Sequence, residues 1–152
     1  MREGNSQSML VLEKTFDCSA ERIWSFWTNP DLMRLWFGSD PNGIVLVASS
    51  NPEVNGSFSV TFRNSNGTEH TCSGIYTVVE PFKMLVFTWY WSGREENVEV
   101  VSVGFEQFGD CVTMVFKHKD IDPETSHDYR LGWVSTFEKL AKAIQMSSSK
   151  PS

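Results

Sequence analysis

Apolar side chains recur along this chain with two distinct periods. Alternation dominates the middle. Phe58, Val60 and Phe62 are separated by Ser59 and Thr61, the two-residue period of a strand with one buried face. Asn66-Gly67 is a hairpin turn signal. A strand is expected over about 69–79, and Glu80-Pro81-Phe82-Lys83 then turns the chain. Leu85, Phe87, Trp89 and Trp91 share one face of the next strand, and Val101, Val103 and Phe105 one face of another, over about 97–107. After a turn at Gly109-Asp110, Met114, Phe116 and His118 alternate with Thr113, Val115 and Lys117. An earlier strand covers about 9–17, and residues 44–49 are a further strand candidate.

The period lengthens at three places. Ile23, Trp24 and Trp27 form one apolar helical face, with Ser19 as cap and Glu21 at the positive end of the dipole. Asn29-Pro30-Asp31 places Asn at the N-cap, Pro at the first helical position and an acid in the first turn. The short helix it opens, about 30–37, carries Leu32, Met33, Trp36 and Phe37. Pro41-Asn42-Gly43 breaks the chain into a loop. Asp122-Pro123-Glu124 repeats the start signal and opens a long helix to about residue 146. Its Trp133, Phe137, Leu140, Ala141 and Ile144 lie on one face.

This order predicts an α+β architecture: a curved antiparallel sheet of about six strands wrapped around a long C-terminal helix. Two short helices after the first strand close one end, and a hollow is left between sheet and helix. Residues 1–8 and 147–152 are polar and read as loose ends. The 152 residues are therefore one domain, with an ordered core over about 9–146.

Composition changes this picture in one respect. There are 11 Phe, 6 Trp and 3 Tyr, 13% of the chain, so large rings must either fill a thick core or line a cavity. The net charge of −6, with no cluster of Lys and Arg, argues against nucleic acid as a partner. No apolar run approaches a bilayer span, so no membrane insertion is expected. The opening residues lack the apolar stretch of a secretory signal and do not begin Met-Gly. A cytoplasmic location follows as the expectation. Asn55-Gly56-Ser57 and Asn66-Gly67-Thr68 then read as turns rather than glycosylation sites. Cys18, Cys72 and Cys111 are widely spaced and read as reduced, partly buried thiols.

Catalytic and metal signatures are sparse. There is no Gly-x-Ser-x-Gly elbow and no phosphate loop, since Gly38-x4-Gly43 is followed by Ile44. His70, His118 and His127 are far apart, and the acids Asp120, Asp122, Glu124 and Asp128 suit a turn and a helix start. No metal site, cofactor or catalytic residue is assigned. His118 shares parity with Met114 and Phe116. It could orient a ligand or act as a base, or sit at a strand end beside solvent. Tyr76 could anchor a ligand through its phenol or satisfy it on the backbone.

Five segments in register resemble a known family. They are Ser19-Ala20-Glu21-Arg22-Ile23-Trp24-x2-Trp27-Thr28-Asn29-Pro30-x-Leu32-x3-Trp36-Phe37; Gly74-x-Tyr76-x2-Val79-x-Pro81-x3-Leu85-Val86-Phe87-Thr88-Trp89; Val103-x-Phe105-Glu106-x2-Gly109-Asp110; Met114-x-Phe116-x-His118; and Gly132-Trp133. Together they are similar to the activator-of-heat-shock-protein-90-ATPase homologue family of the C-terminal-domain type, within the START-type, pollen-allergen-like helix-grip superfamily. The resemblance covers about residues 9–145. It implies a helix-grip fold with a hydrophobic cavity between sheet and long helix. Superfamily members bind lipids, sterols, hormones and polyketides, and some are cyclases or hydrolases. The eponymous chaperone-stimulating activity requires a separate N-terminal domain and is not expected here.

With that cavity, the expected ligand-binding set comprises Trp24, Trp27, Trp36, Phe58, Phe62 and Tyr76 from the first half of the chain. Phe87, Trp89, Phe105, Phe116, His118, Trp133 and Phe137 complete it. The resulting expectation is a binding module for a small apolar or amphipathic molecule. The alternatives are a cyclase- or hydrolase-type enzyme on the same cavity, or a protein-interaction module. Met84, Tyr90 and the Trp89–Trp91 stretch, if exposed, would fit a homodimer or a protein partner.

Overall fold

The computed structural model describes residues 8–121 and 126–148. Its elements run β1 (Ser8–Phe16), α1 (Ala20–Thr28), α2 (Pro30–Met33), β2 (Ile44–Ser50), β3 (Ser57–Arg63), β4 (Glu69–Glu80), β5 (Met84–Trp91), β6 (Glu99–Phe108), β7 (Cys111–Ile121) and α3 (Ser126–Ser148). All seven strands form one antiparallel sheet in the order β1-β7-β6-β5-β4-β3-β2. This is the α+β helix-grip arrangement, with seven strands where about six are expected. The additional one is β2, an edge strand with no fully buried position. A strand that buries neither face carries little alternation for a sequence to display. The helix start expected at Asp122-Pro123-Glu124 lies outside the described residues.

Strand alternation sorts the sheet cleanly. Phe58 and Val60, Phe87, Val101 and Val103, and Met114 and Phe116 are all buried on the concave face. Trp133, Phe137, Leu140 and Ile144 of α3 meet them. Burial of this apolar surface, at roughly 25 cal/mol per Å², is the main stabilising term. At one end α1 and α2 close the sandwich. Ser19 caps α1 by accepting from Arg22 N at 3.1 Å, and Asn29 caps α2 by accepting from Asp31 N at 2.9 Å. Trp27 is the hub there. Its ring lies 4.8 Å from Trp36 and within 6.3 Å of Phe37, Phe87, Phe116 and Phe137. Trp36 Nε1 donates to Phe26 O at 3.0 Å. Aromatic packing fills this end.

The loop after α2 is fixed to both neighbours. Asp40 accepts from Ser65 N at 2.7 Å, from Ser65 Oγ at 2.8 Å and from Asn42 N at 2.9 Å. These bonds, led by the one from Ser65 N, hold its carboxyl below the usual carboxylate range. A lowered folded-state value contributes stability above the ordinary value and loses it as pH falls through the lowered one. The stability advantage of wild type over Asp40→Asn should therefore shrink as pH falls from about 6 to about 2. Thermal melts of both proteins across that range test this, and a constant gap would refute it.

Candidate functional site

At the other end the two layers part. A cleft of about 720 Å³ opens there between the N-terminal half of α3, the ends of β5 and β6 with their connecting loop, and the loop 37–39. Its aromatic walls are Phe37, Phe62, Trp89, Trp91, Tyr129 and Trp133. Trp89 stands 5.4 Å from Trp91 at 90° and 5.4 Å from Trp133 at 58°.

A hydrogen-bonded chain runs through the wall. Trp133 Nε1 donates to His118 Nδ1 at 3.0 Å. An indole N–H can only donate, so Nδ1 is the acceptor and the ring proton of this arrangement sits on Nε2. That Nε2–H donates to Glu99 Oε1 at 2.8 Å. Tyr129 Oη donates to the same carboxylate, 2.9 Å from Oε1 and 3.2 Å from Oε2, and accepts from Trp91 Nε1 at 2.9 Å. His118 is 0% exposed and stands directly behind Glu99, whose side chain lines the cleft at 13% exposure. Burial, with the Glu99 carboxylate beside it, pushes the Tyr129 phenol up. The phenol therefore stays a donor at neutral pH.

The 37–39 side of the cleft is tied to α3. Lys139 Nζ donates to Asp40 O at 2.9 Å, Gly38 O at 3.0 Å and Phe37 O at 3.4 Å, and Ser135 Oγ donates to Ser39 O at 2.6 Å. Burial pushes the Lys139 ammonium down, and Asp40 opposes that shift. Gly38 has φ +98°, and a Cβ there would lie 3.1 Å from Phe62 Cδ2, so glycine suits both the turn and the wall. Gly132 on α3 is different, because its added Cβ would meet Ser39 Cβ at an ordinary 3.5 Å. Gly132→Ala should therefore raise the unfolding free energy by about 0.5–1 kcal/mol through helix propensity. Urea denaturation measures this, and a loss of stability would refute it.

Of the residues expected to contact ligand, Phe62, Trp89 and Trp133 border the cleft. His118 is behind it, reaching it only through Glu99 and Trp133. Trp27, Trp36, Phe58, Phe87, Phe116 and Phe137 pack against one another in the buried core. Trp24 packs on Phe105 and Phe82 farther along the sheet. Tyr76 is buried, pushed up to about 12 by that burial, and shares a 2.8 Å hydrogen bond with Ser50 Oγ. Trp89 turns inward, while Met84 and Tyr90 are half-buried. Cys18 and Cys72 are buried free thiols and Cys111 is half-buried. Among the described residues no group of His, Cys, Asp and Glu is arranged to hold a metal, and the side chain of His127 lies outside them.

Glu99 and Tyr129 are two polar site residues that the expected ligand-binding set omits, though both carried a signal. Glu99 shares the inward parity of Val101 and Val103, and a carboxylate at an inward strand position is costly without a purpose. Tyr129 extends the α3 stripe one turn back from Trp133.

Comparison with known proteins agrees with this fold. The sequence model of the family described as activator of Hsp90 ATPase homologue 1-like protein matches residues 17–145. A solved protein from Nitrosomonas europaea superimposes with a TM-score of 0.81 at 17% identity, over 93% of this chain and 97% of its own. An AHSA1-like protein from Aeromonas hydrophila gives 0.79 at 18% identity, over 95% and 97%. CalU16 from Micromonospora echinospora gives 0.70 at 18%, over 90% and 75%. No curated protein matches the sequence. No helix among the described residues is long and apolar enough to cross a membrane.

Proposed function

Because the chain belongs to the activator of Hsp90 ATPase homologue 1-like family, we propose that it uses its helix-grip fold to bind a small amphipathic molecule between α3 and the ends of β5 and β6. The observation that carries this reading is the cleft itself. Its 720 Å³ falls within the roughly 300–1,000 Å³ of small-molecule sites. Aromatic walls next to a few fixed polar groups are the composition such sites share. Phe62, Trp89 and Trp133 supply apolar surface, while Glu99 and Tyr129 are held in place by the bonds from His118 and Trp91. A polar end that meets Glu99 therefore finds an oriented partner rather than a mobile one, which lowers the entropy cost of binding. No proton transfer or covalent step is needed for this role.

N-phenyl-1-naphthylamine, a neutral dye that brightens in apolar surroundings, is the direct probe. It should gain fluorescence saturably with the wild-type protein. The gain should be lost in Gly132→Phe, whose ring would take up cleft volume beside α3, with circular dichroism checking that this variant is folded. Absence of saturable binding to wild type, or equal binding to both proteins, would overturn the proposal.

A further inference from the structure

Glu99 holds a negative charge at the base of an aromatic cleft, and its hydrogen-bond partners among the described residues are neutral donors. His118 contributes an imidazole N–H and Tyr129 a phenol O–H. Among the described residues no Lys or Arg nitrogen lies within salt-bridge distance of this carboxylate. A largely buried carboxylate with no Lys or Arg in ion-pair contact costs free energy that a bound cation recovers. The rest of the lining has the same sign. Glu96, Asp120 and Asp128 also border the cleft, against one base, Arg94. The rings complete the set: Trp89 and Trp91 meet at a right angle, with Trp133 and Tyr129 alongside. Faces of Trp and Tyr attract a cation through their quadrupoles, most strongly where water is excluded.

We infer that the cleft selects a cationic headgroup, a protonated or quaternary amine carried on an apolar body. This inference rests on the ligand-binding reading above and names the ligand class for that same site. The ammonium sits against Glu99 and the faces of Trp91 and Tyr129, and the apolar body lies toward Phe62 and Trp133. An anionic head would meet four carboxylates and a single guanidinium.

The test is displacement of N-phenyl-1-naphthylamine by three probes of matched shape: benzyltrimethylammonium, its uncharged carbon isostere neopentylbenzene, and phenylmethanesulfonate. The cation should displace the dye at about tenfold lower concentration than the isostere, and the sulfonate should be the weakest. Glu99→Gln keeps an oxygen where His118 and Tyr129 donate, so it should fold, as circular dichroism checks, and each displacement is read against the variant's own dye affinity. The advantage of the cation over the isostere should fall most of the way to none. Equal displacement by cation and isostere, or stronger displacement by the sulfonate, would overturn the headgroup inference and leave the binding site standing. Failure of the dye to bind at all would overturn the binding reading itself. A cation advantage that survives Glu99→Gln in full would remove Glu99 from the recognition and refute the inference as stated.

Discussion

Replacing His118 by leucine should lower the free energy of unfolding by about 3–5 kcal/mol. The volumes are similar, so an empty cavity is not the cause. The cost comes from broken hydrogen bonds around a ring that is itself fully buried. Trp133 Nε1 loses its acceptor at 3.0 Å, and an orphaned buried N–H costs about 1–3 kcal/mol. Glu99 loses the 2.8 Å bond from Nε2, and a bond to a charged group is worth about 1.5–3 kcal/mol. Against a total stability of about 5–15 kcal/mol for a domain, this leaves a marginal protein. The two losses share one imidazole, and the second falls on a carboxylate. The same substitution in a Glu99→Gln background should therefore cost less, because a neutral amide is cheaper to leave half-satisfied. Urea unfolding of the four proteins gives the coupling energy directly. A His118→Leu effect below about 1 kcal/mol would show that the chain from Trp133 to Tyr129 contributes little to stability.

Gly74→Ala should be comparably severe, for a reason unrelated to the cleft. A Cβ at Gly74 would lie 1.8 Å from Thr88 O and 2.8 Å from Phe58 Cε1. Thr88 O belongs to the backbone of β5, which is paired to β4 on one side and β6 on the other. It cannot swing aside as a side chain would, so the ladder must open or the strands must separate. A cost of at least about 3 kcal/mol follows, or a melting temperature lower by roughly 10 °C in a chain of this length. Differential scanning calorimetry decides it, with a shift under about 3 °C as the refuting result. Gly132→Ala makes the contrast, since the same added methyl there meets only Ser39 at 3.5 Å.

Much of the architecture was legible because it is periodic. Phe58, Val60 and Phe62, or Val101, Val103 and Phe105, declare an inward face by parity alone, and the structure buries all six. Ser19 and Asn29 announced the helix starts because a capping oxygen must immediately precede the helix it caps. These are local matters, decided within a few residues of chain. The edge strand β2 was only faintly marked, since neither of its faces is fully covered.

The cleft belongs to the other kind of information. Helical spacing placed Trp27, and strand parity Trp89, on inward faces, yet Trp27 meets five other rings in the packed end while Trp89 borders open space. Whether facing layers touch depends on the summed volumes of side chains from β3, β5, β6, β7 and α3 and on how far the layers part. No segment carries that sum. The same holds for Glu99, His118 and Tyr129, which meet only because β6 pairs with β7 in the register that sets Val101 opposite His118, and α3 crosses above. The sequence alone determined which side chains turn inward and where helices begin, because period and capping act over neighbouring residues. Only the tertiary structure decided which inward positions stay open to a ligand, because an unfilled volume is a property of all its walls at once.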